Sequence, residues 1–72
     1  MLKIEIHIKG TINPHWSEWF DGLAIRPAEC GETVLCGQVL DEAALYGIIS
    51  RLRDLGLGLT WLSSEEMEDL HP

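Results

Sequence analysis

The sequence is poor in basic residues: five Lys and Arg stand against twelve Asp and Glu, for a formal net charge of -7. A surface of that sign repels the phosphate backbone on which non-specific nucleic-acid binding rests, so neither DNA nor RNA is an expected partner. Cysteine is scarcer still. Cys30 and Cys36 are too few for a disulfide framework, and free thiols fit a reducing, cytoplasmic compartment. No apolar run approaches the roughly 20 residues that span a bilayer as a helix. The opening MLKIEIHIKG alternates, where a secretory signal needs a basic segment followed by a continuous apolar one. A soluble protein with no membrane partner is expected.

Aromatic residues are few, three Trp, one Tyr and one Phe, yet Trp16, Trp19 and Phe20 crowd into the stretch HWSEWFDGL. What is plentiful is aliphatic material. With 46% of its 72 residues hydrophobic and 24% charged, the chain has enough for the packed core of one domain and too little charge for wholesale disorder.

Periodicity then orders the elements. Leu2, Ile4, Ile6 and Ile8 fall on one face of an extended segment and Lys3, Glu5, His7 and Lys9 on the other, a strand with one buried and one wet face. Asn13-Pro14 is a helix start, with an Asx side chain as cap and a proline of preset φ behind it. On the helix expected from Pro14 to about Asp21, Trp16, Trp19 and Phe20 have the i, i+3, i+4 spacing of one apolar face, and Gly22 can stop it. A helix of about two turns does not hold alone in water, so all three rings are assigned to the core. Leu23 to Pro27 is a short strand that proline confines to an edge. AECGE is a turn, and TVLCGQVL a β-rich segment in which Gly37 marks a bulge or a close backbone approach.

The long helix is DEAALYGIISRLRDLG. Asp41 caps it, Leu40 and Leu45 are placed for a hydrophobic staple, Ala44, Leu45, Ile48, Ile49, Leu52 and Leu55 form one stripe, and Gly56 ends it. LGLTWLS is a last strand with apolar residues on both faces. Ser63 and Glu66 could form a capping box in the acidic segment beyond it, with at most a frayed turn expected there. The resulting order, βαββαβ, predicts an α+β ferredoxin-like sandwich: a four-stranded sheet with a short and a long helix on one face. Residues 1–63 form the single α+β domain and residues 64–72 an acidic C-terminal tail. The first crossover, Thr11 to Gly22, is close to the minimum for joining parallel strands, and a β-meander with one helix is the alternative.

Sites follow from spacing. His15 and Glu18, at i, i+3, share a helix face and are the ligand-binding candidates. The acid–base residues His7, His15, Glu5, Glu18, Asp21 and Asp41 meet no nucleophile elbow or phosphate loop, so no catalytic residue and no cofactor is assigned, and the protein is not expected to be an enzyme. The wet face of the first strand, Lys3, Glu5, His7 and Lys9, carries no base-stacking aromatic. In the expected sheet order the second and fourth strands lie at the edges. Pro27 protects the second, whereas Leu57, Leu59, Trp61 and Leu62 leave the fourth apolar and without Lys or Pro. These four residues are the interface candidates for a homodimer formed by edge pairing. The alternative is a monomer whose acidic tail covers that edge.

HWSEWFDGL and GQVLDEAALYGIISRLRDLGLGL resemble a family of short, uncharacterised bacterial proteins that share the Trp-x-x-Trp-Phe helix and an Asp-capped helix ending in Leu-Gly-Leu. The likeness extends over about Ile4 to Leu62. It implies the fold and a bacterial cytoplasm and supplies no reaction. Relatives carry Asp-Gln at Asp41-Glu42 and His at Tyr46, so any chemistry of that imidazole is absent here. A looser similarity, in element order alone, is to ligand-sensing domains of the ACT type, although the first βα loop here, KGTINP, has one glycine. The expected function is thus a cytoplasmic, non-catalytic self-association or partner-binding module. The alternative is a small-molecule sensor, or a minor enzyme, with a pocket near that loop.

Metal binding is tested most simply. Cys30 and Cys36 are not at paired-ligand spacing, and His7, His15 and His71 are scattered, so no metal is assigned. Protein dialysed against a chelator is expected to retain no stoichiometric zinc, and retention by elemental analysis would overturn this assignment.

Overall fold

A computed structural model of the protein describes residues 1–67. The alternating N-terminal segment is β1, Leu2–Lys9, and its isoleucines are buried at 2% exposure or less. β1 is central. It pairs antiparallel with β3, Glu32–Val39, on one side and with β4, Gly58–Glu66, on the other. The short β2, Ala24–Pro27, pairs antiparallel with β3 alone. The chain is therefore α+β, with an open, antiparallel four-stranded sheet of order β2-β3-β1-β4 whose edges are β2 and β4.

Two helices cover one face of this sheet. The short one, Pro14–Phe20, contributes Phe20 to the buried cluster; the long one, α1 (Glu42–Asp54), contributes Leu45, Ile48 and Leu52. They share one buried cluster with Ile4, Ile6, Ile8 and Leu35 from the sheet. A three-residue 3-10 turn, Glu29–Gly31, joins β2 to β3. Among the described residues no helix is long and apolar enough to cross a membrane.

Local signals set the helix ends. The Asp41 carboxylate accepts from the Ala44 amide at 2.9 Å, and the Asn13 side chain accepts from the His15 amide at 2.9 Å. Gly56, at φ 75, closes α1: its amide donates to the Arg53 carbonyl and the Leu57 amide donates to the Leu52 carbonyl, the paired bonds of a Schellman motif. Gly37 is a close approach. A Cβ there would lie 2.9 Å from Leu23 Cδ2, in a backbone at φ 154 that side chains rarely adopt.

The structure corrects five expectations. The helix at Pro14–Phe20 is a 3-10 helix. With three residues per turn, Trp16 and Trp19 eclipse each other, while Phe20 is rotated about a third of a turn away. Phe20 is fully buried and both tryptophans are 45% exposed, so the core assignment holds for one ring of three. Leu40 is 71% exposed and forms no staple on Leu45. Finally, β4 continues through Glu66, so Ser63 and Glu66 lie in a strand and not in a capping box, and Ser64–Glu66 of the expected tail belong to the sheet. Met67 follows, its amide donating to the Met1 carbonyl at 2.9 Å, and residues 68–72 lie outside the described residues.

The contrast between adjacent rings can be measured by chemical denaturation. Phe20→Ala is expected to cost about 3–5 kcal/mol, as buried Phe truncations do, a loss close to the whole stability of a domain this small. Trp19→Ala, which removes a half-exposed ring, is expected to cost less than half of that. Equal losses would contradict the burial contrast.

Candidate functional site

Eclipsing at i, i+3 has a chemical result on the short helix. His15 and Glu18 stand on one line and Trp16 and Trp19 on the next, and the four side chains line a single open depression. The two indoles meet edge to face, centroids 5.3 Å apart and planes at 89°. Trp19 rests in turn against buried Phe20, at 5.0 Å and 76°, which ties the exposed pair to the core.

Side-chain contacts from Ser17 and Arg51 help hold this helix to the rest of the chain. The Ser17 hydroxyl donates to the Leu23 carbonyl at 2.6 Å. Arg51, in the last turn of α1, donates from Nη1 to the Trp19 carbonyl at 2.9 Å, and the same nitrogen is 3.5 Å from the Asp21 carboxylate. Asp21 itself adopts the left-handed conformation, φ 57, that ends the helix. Beside the depression, Thr11, Ile12, Asn13, Trp16, Leu55 and Leu57 line a second groove, between the first βα connection and the end of α1. Trp16 belongs to both.

The four interface candidates separate. Leu57 is half-buried against the core, whereas Leu59, Trp61 and Leu62 are 47%, 49% and 37% exposed along β4. A bulge divides them by face: Ile8 pairs with Leu59 and His7 with Trp61, leaving Thr60 as the extra residue. Leu59 and Leu62 consequently lie on the helix-covered side of the sheet and Trp61 on the open side. The Thr60 hydroxyl donates to the His7 carbonyl at 3.1 Å across the bulge.

One cluster escaped the sequence reading. On the open face His7 Nε2 donates to Glu5 Oε2 at 2.7 Å, and Trp61 packs edge-on against the imidazole at 4.9 Å. The i, i+2 spacing of Glu5 and His7 on the wet side of β1 was the available signal. Trp61 joins them only through strand pairing and the bulge. Cys36 lies opposite Glu5 in the register, is half-buried and is unpaired, as is the exposed Cys30. Among the described residues no three His, Cys, Asp or Glu side chains are grouped to hold a metal ion; His71 lies outside them.

A family model matches residues 3–63, from β1 through the tryptophan pair and α1 into β4. The chain belongs to the family described as Domain of unknown function, DUF8691. No curated protein and no solved structure matches it. The DUF8691 span agrees with the resemblance read from the two helical stretches, and it includes every residue of the depression, the groove and the four interface candidates.

Arg51 is the one side chain from α1 that hydrogen-bonds to the short helix among the described residues. Because it is partly solvated, its removal in Arg51→Ala is expected to cost about 1 kcal/mol, read by urea denaturation. It should also broaden the Trp19 indole NMR signal. An unchanged stability and an unchanged indole signal would show that the clamp does not position the helix.

Proposed function

We propose that this DUF8691 protein is a non-catalytic self-association module that forms a homodimer by pairing β4 with β4 of a second copy. The observation that carries the proposal is the character of that edge. Nine residues of β4 lie at the side of the sheet with no Pro and no Lys among them, and Leu59, Trp61 and Leu62 are exposed. Its stretch from Gly58 to Ser64 carries no charge, and an uncharged edge of this kind offers backbone groups to another strand on either side of the bulge at Thr60. Charge favours an antiparallel, two-fold arrangement: Glu65 and Glu66 end the strand, while Gly58 at its start lies opposite Lys9 in the register. Pairing centred near Trp61 and Leu62 carries the acidic end of each strand toward the other copy's basic Lys9.

The finer architecture belongs to this proposal. A ferredoxin-like sandwich of two split βαβ units is supported by the position of β3 between β1 and β2 and of β1 between β3 and β4. A reducing, cytoplasmic setting, in a bacterium on the resemblance above, is supported by the unpaired thiols of Cys30 and Cys36.

One observation favours a second reading, a small-molecule-sensing module. The groove lined by Thr11, Ile12, Asn13, Trp16, Leu55 and Leu57 lies beside the first βα connection, where that reading requires a pocket. Native mass spectrometry separates the two readings: a ligand-free dimer supports self-association, and a retained small molecule supports sensing.

Light scattering at micromolar concentration is expected to give the mass of a dimer. Leu62→Lys, which sets a charge on the helix-covered side of β4 at a partly exposed position outside the buried cluster, should weaken it about tenfold, or about 1.4 kcal/mol. A monomeric wild type would sink the proposal, and an undiminished dimer in the folded variant would move the interface away from β4.

A further inference from the structure

Trp16 and Trp19 leave nearly half their surface in water, in a domain that hides Phe20 completely. Their planes stand at 89°, so the two rings form the walls of a corner, and the depression they line also holds Glu18 and His15. We propose that this corner is a binding site for a quaternary or otherwise alkylated ammonium cation, held by cation–π contact with the two indoles and by the charge of Glu18.

Four observations support a cation as the occupant. Tryptophan presents the most favourable ring face to a cation of the aromatic side chains. Glu18 takes part in neither of the ion pairs found among the described residues, which join His7 to Glu5 and Arg51 to Asp21. No Lys or Arg lines the depression, and the nearest guanidinium by contact, Arg51, is engaged by the Trp19 carbonyl and Asp21. The net charge of -7 also raises the local concentration of cations around the whole molecule.

The donor count then selects the class of cation. A primary ammonium carries three N–H donors, all of which need acceptors when water is removed. Here the acceptors lining the depression are the Glu18 carboxylate and the His15 ring, and the Trp19 carbonyl is already engaged by Arg51. A primary ammonium is compact and strongly hydrated, so in an open depression it holds its water and gains little from the indole faces. A quaternary ammonium has no donor to satisfy, is weakly hydrated, and offers methyl groups to both indole faces. Such a group can come from a free small cation of the choline type or from an alkylated lysine on another protein, and the open depression admits either.

The site is separate from the β4 edge and is present on a monomer, so failure of the self-association reading leaves it standing. Heteronuclear NMR of the full chain, followed at the indole N–H signals, tests it with choline as the probe. Saturable shifts are expected at Trp16 and Trp19 and none at Trp61, which lies outside the depression. The neutral tert-butyl isostere of choline should bind at least about 5-fold more weakly, because it keeps the shape and loses the charge.

Glu18→Gln leaves the packing of both rings intact and is expected to weaken choline about 5-fold, an effect that high salt reproduces in the wild type. Trp16→Leu should weaken it about 2- to 5-fold, with circular dichroism verifying the fold. A peptide carrying trimethyl-lysine, compared with its unmodified lysine counterpart, identifies the source: a marked gain over choline assigns the site to a modified protein, and no gain assigns it to a free cation. Equal binding of the neutral isostere, choline affinity indifferent to Glu18→Gln, or the absence of saturable shifts at Trp16 and Trp19 would each overturn the proposal.

Discussion

Every layer of this small protein is hung on β1. Ile4, Ile6 and Ile8 on its inner face meet residues from both helices, and its two edges are paired with β3 and β4 at once. A slip of one residue would turn all three isoleucines to water and the charged Lys3, Glu5, His7 and Lys9 inward, so the register of the whole sheet follows from one alternating octapeptide. Partner positions inherit their roles. Gly37 falls opposite Ile4, and the side chain it lacks is the space that Leu23 fills. Glu5 falls between Cys36 and Ser63, which places it on the open face beside His7.

The connection between β1 and β2 has to pass the position of β3 within about a dozen residues. A 3-10 helix rises about 2.0 Å per residue against about 1.5 Å for an α-helix, so it spans more of that distance with the same chain. The tighter winding also governs which side chains are available for function. It sends Phe20 into the core, sets Trp16 edge to face with Trp19 at the surface, and lines up His15 with Glu18. Too short to stand by itself, the helix is fastened by Phe20 from within and by Arg51 from α1. A surface with two exposed indoles is thereby given fixed geometry, which is what separates a binding corner from a loose apolar patch.

The groove beside Trp16 leads to Leu57, the residue that follows the close of α1 and precedes β4. The chain carries two separate surfaces of different chemistry: an acidic, aromatic corner on the short helix and an apolar edge on β4. The proposed self-association and cation binding would make separate demands on these surfaces, one for backbone donors and acceptors with aliphatic cover, the other for π faces and a carboxylate.

Features that depend on residues a few positions apart are legible in the sequence. The buried face of β1, the Asp41 and Asn13 caps, the stop at Gly56 and the exposed fourth strand are of this kind, because alternation, capping and turn chemistry act locally. The placing of His15 and Glu18 on one side of the short helix is also local, since i, i+3 residues share a face in a 3-10 helix as in an α-helix. What required the tertiary structure was everything set by the distance the chain has to travel or by what stands across from it. The i, i+3, i+4 pattern of Trp16, Trp19 and Phe20 describes one face only if the helix is α, and here it is a 3-10 helix. Leu57, Leu59 and Trp61 alternate like one strand face, yet the bulge at Thr60 puts Leu59 with Leu62 and turns Trp61 onto His7. Leu40 has the spacing of a staple but remains exposed, because a contact needs a surface to close against as well as the right interval along the chain.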